Sequence, residues 1–326
     1  MINDGILTKR DFTILFENDE NKRYLPVETT DSISIYSNII LSGDFLQYVM
    51  KKGILIHVFD KYGEYMGTFA GDNVKGTGKT LIKQSQLYTD EKRRVDIAKT
   101  IIMAAMHNMR ANVRYYKRRK KNRFLSEIEQ NLTNTIKKMN QAKTIEELML
   151  EEARGRQQYY RAFDEIIADD AFRFEKRTKR PPRNEVNSLI GFGNTILYNR
   201  IAGEISKTRL DIRISFLHAA NNRAKSLNLD IAEIFKPIIV DRVIFTCLNR
   251  GELNATAHFE INESNGGVYL NKEGKRIFLS ELERKLYQKI TIDGESITYD
   301  TLIRREVRAI QKHIESGSKY KAYKYY

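Results

Sequence analysis

The sequence has little cysteine, tryptophan or proline, and these shortages narrow what the protein can be. Among 326 residues there are one cysteine, no tryptophan and four prolines. A single cysteine excludes a disulfide within the chain and fits a reducing compartment. Because this residue, Cys247, lies among apolar residues with no histidine near it in sequence, we do not expect a thiol nucleophile.

Long hydrophobic runs are also missing from the sequence. No uninterrupted apolar stretch approaches the roughly 20 residues that cross a bilayer. The N-terminus has no basic segment followed by an apolar one, which is the pattern of a signal peptide. We therefore expect a soluble cytoplasmic protein without a membrane partner.

Basic residues, in contrast, are in excess. Lys and Arg number 56 against 42 Asp and Glu, which gives a formal net charge of +14 and a pI near 9.5. This charge favours a polyanionic partner such as nucleic acid, although a basic protein without such a partner is an equal alternative from charge alone. The length of the chain favours two domains, and 41% hydrophobic residues suffice for a sizeable core.

The spacing of apolar residues changes between residues 70 and 80. Before this point short runs predict strands, including a hairpin formed by Asp11 to Phe16 and Arg23 to Val27. After it, apolar residues recur every three or four positions, which is typical of helices. We predict an α+β protein with a small β-strand domain at residues 1–78, serving as a packing or dimerisation platform, and a larger all-α domain at residues 79–326.

The boundary segment from Gly71 to Thr80 is rich in Gly and Lys, and its last three residues resemble the end of a phosphate-binding P-loop. The full motif requires a glycine five residues before Gly78, where this sequence has Asn73. No Walker-type aspartate follows either. A flexible linker therefore explains the segment better than a nucleotide site, and an ATPase is the least favoured function.

Basic residues cluster in two segments of the helical part, and a basic, aromatic tail ends the chain. Residues 114–123 end a predicted long helix, and residues 173–183 form a loop broken by two prolines. Both are either solvated surface or contacts for phosphate groups, and the net charge favours phosphate contacts. The tail, residues 316–326, is predicted to be flexible and is a weaker candidate. The candidate DNA-binding residues are Arg114, Lys117, Arg118, Arg119, Lys120, Arg177, Lys179 and Arg180.

The stretch from His218 to Arg242 contains the residues of a candidate metal site. His218 follows an apolar run, and Ser226 is expected to cap a helix with Asp230 and Glu233 three residues apart on one face. An imidazole and two carboxylates beside apolar residues can hold a hard or borderline divalent metal ion. Pro237 is expected to kink the helix one turn beyond Glu233.

A further carboxylate, Glu152, lies on the apolar face of another predicted helix. A carboxylate in that position is costly to bury unless something pairs with it. Arg156, four residues further on, could form a salt bridge with it, and taken alone this structural interpretation is favoured. The alternative is that Glu152 is a metal ligand.

Several stretches of the sequence resemble the CRISPR-associated integrase family called Cas one. Residues 24–28 (YLPVE) resemble the "YIPVE" strand of that family, and residues 53–59 (GILIHVF) its "IPIHFF" strand. Glu152 followed by residues 159–163 is similar to "EGNARRIYFEAF", and residues 180–193 are similar to "RPPxDPVNALLSFGY". Residues 216–237 resemble "FLH…SLxxDLxEPFRP". The matches run along most of the chain, and the N-terminal part is most similar to the type I-B branch.

This resemblance implies a site as well as a fold. It implies that Glu152, His218 and Glu233 are catalytic and bind Mg²⁺ or Mn²⁺, with Asp230 as a neighbour or a second metal ligand. The larger domain would then be the catalytic domain.

The resemblance also implies a metal-dependent DNA endonuclease and integrase. In CRISPR adaptation, an antiviral defence, such an enzyme joins the 3′ ends of spacer precursor DNA into the CRISPR repeat by phosphodiester transesterification. The implied partners are this DNA, a second copy in a homodimer, and the second Cas protein, Cas two. The alternative from another class is a non-catalytic nucleic-acid-binding or assembly protein with a salt-bridged His/carboxylate cluster.

Overall fold

The computed structural model describes residues 1–60, 62–63, 65–71, 77–167, 169–218 and 225–325. The chain divides into two compact units, residues 1–75 and 76–326. The first unit consists mainly of strands and the second mainly of helices, so the predicted α+β class is confirmed. Residues 72–76 of the predicted linker lie outside the described residues, whereas Gly78 to Thr80 form the first turn of a helix.

The first unit contains two sheets and one helix in its described residues. Its elements are β1 (Gly5–Arg10), β2 (Thr13–Glu17), β3 (Lys22–Leu25), β4 (Ser32–Ile35), β5 (Ile39–Leu41), α1 (Gly43–Lys52), β6 (Leu55–Phe59) and β7 (Tyr65–Phe69). One sheet has the strand order β3-β2-β1-β5 and the other the order β4-β6-β7. The expected hairpin is confirmed, because β2 and β3 pair antiparallel. The core of this unit includes Leu7, Ile14, Phe16, Phe45 and Ile56.

Helices form most of the second unit. They are α2 (Gly78–Thr89), α3 (Glu91–Lys120), α4 (Arg123–Gln141), α5 (Ile145–Ile167), α6 (Glu185–Ser206), α7 (Leu227–Phe235), α8 (Arg242–Asn249), α9 (Lys272–Leu286) and α10 (Tyr299–Ser316). Two antiparallel pairs also occur, β8 (Phe259–Asn262) with β9 (Gly267–Leu270) and β10 (Lys289–Ile292) with β11 (Glu295–Thr298). The expectation of an all-α second part is corrected by these pairs, whose four-residue strands are too short for a clear alternation of apolar residues.

The long helix α3 organises the packing of the second unit. Asp90 caps it by accepting a hydrogen bond from Arg93 N at 3.1 Å, and its apolar face packs against α4, α5 and α7. Gly155 of α5 allows a close approach, since an added Cβ there would lie 2.3 Å from the Met106 side chain of α3. The close packing fixes α5, which carries Glu152, against α3. In the described part of the chain, no helix is long and apolar enough to cross a membrane.

Candidate active site

One guanidinium group binds the two carboxylates that the sequence analysis placed on different helices. Arg156 Nε donates a hydrogen bond to Glu152 Oε1 at 2.5 Å within α5, and Arg156 Nη2 donates to Glu233 Oε2 of α7. The salt bridge between Glu152 and Arg156, which was the structural interpretation of the sequence, is therefore present. Because both carboxylates bind one cation, folding also brings Glu152 against α7, as a shared metal site requires.

A second cation binds Glu233 from its own helix end. Lys236 Nζ donates to Glu233 Oε1 at 2.7 Å, and Glu233 is only 5% exposed. Burial by itself would raise the pKa of Glu233, but the charges of Arg156 and Lys236 outweigh it and hold that pKa well below its usual range. Glu233 is thus an anion at neutral pH in a nearly dry environment.

Asp230 fixes the orientation of His218. Asp230 is fully buried, and its Oδ2 accepts hydrogen bonds from the backbone N–H groups of Phe216 at 2.6 Å and Leu217 at 2.9 Å. Its Oδ1 accepts from His218 N at 3.2 Å and lies 2.6 Å from His218 Nδ1. Since Nδ1 is engaged, the imidazole would bind a metal or substrate through Nε2.

The same carboxylate sets the protonation of the imidazole. Burial lowers the pKa of His218, but the hydrogen bond and the charge of Asp230 outweigh it, so that this pKa is raised. Glu233 raises the pKa of His218 further, and His218 lowers that of Glu233. The two side chains are therefore close enough to interact electrostatically.

Local structure around α7 differs in two details from the expectation. Ser226 stands at the N-cap position but does not cap the helix with its side chain, because its Oγ donates to Arg213 O at 2.7 Å. At Pro237 the helix changes into a π-helical turn, Pro237–Asp241, in which Asp241 N donates to Lys236 O at 3.0 Å. The helix type therefore changes at the residue where a kink was expected. Residues 219–224 of the predicted metal motif lie outside the described residues.

No three His, Cys, Asp or Glu side chains within the described ranges are arranged to hold a metal ion. The reason lies in their present partners, since Glu152 and Glu233 face Arg156 while Asp230 faces His218. The donor types nevertheless suit a divalent cation, because two carboxylates already share one positive charge and an imidazole lies within electrostatic range of one of them, Glu233.

The two predicted DNA-binding segments have different surroundings. At the end of α3, Arg114 and Lys117 bind Glu129 of α4 at 2.9 and 2.5 Å, and Lys120 donates to the carbonyls of residues 165 and 166 at 2.8 Å. Arg119 stacks on the Tyr115 ring at 4.5 Å. Arg114, Lys117 and Lys120 therefore connect α3 to neighbouring helices, whereas Arg119 contacts a residue of its own helix and Arg118 is exposed.

The basic loop after α5 lies beside the carboxylate pair. Arg177 Nη1 donates a hydrogen bond to Asn187 Oδ1 at 2.8 Å. Burial lowers the pKa of Arg177, and the charge of Arg156 lowers it further. Partial burial lowers the pKa of the exposed Lys179, and Arg177, Lys236 and Arg156 lower it further. Arg180 follows at an exposed position. The loop thus adds cations at the edge of the candidate site.

A buried polar network behind the site escaped the sequence analysis. Tyr159 OH donates to Asp241 Oδ2 at 2.9 Å, and Asn112 Nδ2 donates to Tyr159 OH at 2.9 Å and to Pro237 O at 2.6 Å. Burial raises the pKa of Asp241 to about 7, although Tyr159 lowers it in part. Polar residues within apolar helical stretches are the only sequence signal for this network, and they do not identify its partners.

Comparison with known proteins agrees with this arrangement of elements. The family model described as CRISPR associated protein Cas1 matches residues 1–284. The chain is a member of the Cas1 family. The resemblance to the family called Cas one is thereby confirmed.

Several Cas1 proteins match nearly the whole chain. "CRISPR-associated endonuclease Cas1 2" of Thermodesulfovibrio yellowstonii is 38% identical over 325 residues, which are 99% of this chain and 97% of the relative. "CRISPR-associated endonuclease Cas1" of Clostridium perfringens is 38% identical over 330 residues, with the same shares. The solved structure of a Cas1 protein from Thermotoga maritima has a TM-score of 0.86 at 34% identity and covers 99% of both chains.

Proposed function

We propose that the protein is a divalent-metal-dependent DNA endonuclease and integrase that inserts new spacer DNA into a CRISPR array. The observation that carries this proposal is the convergence of Glu152 and Glu233 on one cation, with His218 held within electrostatic range by Asp230. Relatives that match nearly the full chain are named CRISPR-associated endonucleases, which supports it.

Glu152, His218 and Glu233 are the residues that would hold the metal ion. Carboxylate oxygens suit Mg²⁺, and an imidazole beside them suits Mn²⁺ somewhat better. For a metal to bind, the two carboxylates must exchange the Arg156 guanidinium for the ion. Asp230 acts in this proposal by orienting His218, because both its oxygens already accept hydrogen bonds.

The reaction needs no covalent protein intermediate. A 3′ hydroxyl attacks a phosphodiester, the new P–O bond forms as the old one breaks, and the leaving oxygen takes up the proton. A bound divalent ion would orient the phosphate oxygens and neutralise the charge that develops on them. Lys179 and Arg177, at the edge of the site, would bind the flanking phosphates.

The family resemblance also suggests the setting of the reaction. We infer that the protein works in the cytoplasm as a homodimer together with Cas two. Its DNA partners would be spacer precursor fragments and the CRISPR repeat. The net charge of +14 supports a DNA partner, because phosphate backbones attract basic proteins independently of sequence.

Substitution of the three proposed ligands tests the function. In an assay with fork-ended DNA, a repeat-bearing plasmid, Cas two and Mn²⁺, Glu152→Gln, His218→Ala and Glu233→Gln should each reduce strand joining by more than about 100-fold. DNA binding should persist in all three. Glu151→Gln is the matched control, because this neighbouring carboxylate pairs with the exposed Arg154. Normal joining by the three variants would show that the site assignment is wrong.

The alternative is a non-catalytic DNA-binding or assembly protein. The present salt bridges of Glu152 and Glu233 favour it, because a structural cluster needs no metal. Thermal unfolding separates the two functions, since a ligand at 100 times its Kd stabilises a protein by about 2.7 kcal/mol. An enzyme of the proposed kind should gain thermal stability in Mn²⁺ and lose that gain in His218→Ala. A wild-type protein without any gain would favour the alternative.

A further inference from the structure

The C-terminal tail, which the sequence predicted to be flexible, is docked on the second unit over the described residues 317–325. Tyr320 is 7% exposed, and its OH donates to the Glu306 carboxylate, which also accepts from Tyr323 N at 3.3 Å. Tyr325 N donates to Asn108 Oδ1 of α3 at 2.7 Å. Tyrosines at every second or third position thus anchor the tail. Its lysines are the reason why the sequence predicted a flexible, solvated segment.

The docked tail forms one wall of a groove of about 1050 Å³. The N-terminal half of α3 and the ends of α2 and α10 form the remainder, and we call this cavity the tail groove. Its basic lining residues are Lys83, Arg93, Lys99, Lys319, Lys321 and Lys324. Ile97 and Ile314 lie beneath the surface, since each is only 4% exposed. Leu87 and Met103 also line the groove and are partly exposed, so the tail groove combines an apolar lining with six cationic side chains.

The cations of α2 and α3 already have partners. Lys83 donates to the carbonyl of residue 315, and Lys99 donates to the carbonyls of residues 140 and 142 at 3.2 and 2.6 Å. Arg93 pairs with Asp90 at 3.3 Å. These three side chains therefore stabilise the fold and shape the groove. They contribute little charge that is available to a ligand.

The tail lysines, in contrast, are not neutralised. Lys319, Lys321 and Lys324 form no ion pair with any residue of the described ranges. The acidic lining residues are Asp96 and Glu315, and Glu315 already accepts hydrogen bonds from Thr80 at 3.1 Å and Gln311 at 3.0 Å. Three positive charges are thus fixed along one wall with little opposing charge.

The arrangement of these charges points to a repeated anion. Lys319 and Lys321 are two residues apart and Lys321 and Lys324 are three apart, which in an extended segment is up to about 7 Å and about 11 Å. Two and three nucleotides of a strand advance by about 6.8 Å and about 10 Å. Lysine binds phosphate as a point charge on a flexible stem, so an exact match is not needed. An acidic peptide would need apolar anchors as well, and among the larger apolar lining residues only Leu87 and Met103 are partly exposed, so the spacing of the lysines favours phosphate groups.

We propose that the tail groove binds the phosphodiester backbone of duplex DNA as a contact separate from the candidate active site. The proposal deepens the proposed function and rests on it, because it adds a place where a second stretch of the DNA substrate is held. The tail is then part of the DNA-binding surface, with its tyrosines as anchors and its lysines as phosphate contacts.

A triple charge reversal tests this proposal without touching the anchoring tyrosines. Binding of a fluorescein-labelled DNA duplex is measured by anisotropy in EDTA between 50 and 200 mM salt, for the wild type and K319E/K321E/K324E. Three lost phosphate contacts should reduce the slope of log K against log salt by about 2.7. The wild-type affinity should accordingly fall about 40-fold more over this range than that of the variant. The control K137E/K272E/K289E reverses three exposed lysines elsewhere, and its slope should stay near that of the wild type.

Equal salt slopes for the two triple variants, at equal thermal stability, would overturn the proposal. Loss of oligoglutamate binding with unchanged duplex binding would also overturn it, and would mark the groove as a site for acidic protein segments. If the wild type itself joined no strands, the proposed function would fail, while the comparison of salt slopes would still decide whether DNA binds in the groove.

Discussion

Arg156 is the residue on which the candidate site depends in the absence of metal. Its guanidinium is the only cation that binds both Glu152 and Glu233 among the described residues, and its side chain is mostly buried. A divalent ion and Arg156 should therefore compete for the same carboxylates. In the proposed function, Arg156 would hold the two carboxylates together without metal and would at the same time lower the affinity of the site for metal.

Arg156→Met should reveal this competition. Removal of the guanidinium leaves two neighbouring carboxylates with less compensation, which should lower the free energy of unfolding without metal by about 3 kcal/mol. Mn²⁺ should then stabilise the variant more than the wild type, as measured by thermal unfolding with and without the ion. Arg154→Met is the matched control on the same helix, because its exposed pair with Glu151 is worth at most about 1 kcal/mol. An equal Mn²⁺ effect in wild type and Arg156→Met would argue against shared ligands.

Sequence reasoning reached the residues of the site and one of their contacts, the salt bridge between Glu152 and Arg156. The spacing of Asp230 and Glu233 put both carboxylates on one helix, and the resemblance joined Glu152 to them and His218 in one site. The arrangement of Asp230 against three backbone N–H groups depends on the conformation of the preceding loop, which no side-chain pattern encodes. Their catalytic and metal-binding roles stay predictions until the variants are measured.

At the scale of elements, the C-terminal tail adds a pH-dependent anchor. Burial raises the pKa of Glu306 from 4.5 to about 7, although hydrogen bonds from Tyr320 and the Tyr323 N–H lower it in part. Between these two pH values the folded protein holds a proton that the unfolded chain has released. The contribution of Glu306 to the free energy of unfolding therefore falls as the pH rises from 4.5 to 7.

Glu306→Gln should remove this pH dependence. The wild type should lose up to about 3 kcal/mol more than the variant between pH 5 and 7.5, as measured by urea unfolding. Glu295→Gln is a suitable control, because a hydrogen bond from Arg305 lowers the pKa of this exposed carboxylate. If wild type and Glu306→Gln showed the same pH profile, Glu306 would be ionised throughout and the tail would be anchored in another way.

The elements that the sequence predicted are those with a strong apolar period. The β2–β3 hairpin and the apolar face of α3 follow the expected residues, since alternation and the helical repeat are read directly from side-chain order. The sequence did not single out strand β1, because Ile6 is exposed beside the one buried residue, Leu7, so that apolar residues do not alternate. The tail was missed for a different reason, because its anchors, Glu306 and Asn108, lie far away in sequence.

For the whole molecule, the first unit carries a surface that suits the proposed homodimer. Six of the twelve exposed large apolar side chains in the described residues belong to residues 1–75. Ile6 and Ile40 face each other across β1 and β5, and strand register places Tyr24 on the same face of the sheet. Exposed apolar side chains on one face of a sheet favour an interaction surface there.

Ile40→Glu should therefore weaken self-association. In a two-fold dimer the same patch lies on both subunits, so each copy would bring one carboxylate into an apolar contact. Burial of such unpaired charges costs several kcal/mol, which should raise the dimer Kd at least about tenfold. Sedimentation equilibrium measures the change. Ile261→Glu, at an exposed isoleucine of β8 in the second unit, is the matched control and should leave the Kd unchanged. If the wild type and Ile40→Glu dimerised equally well, the interface would lie away from this sheet. The platform role of residues 1–78 would then have to be abandoned.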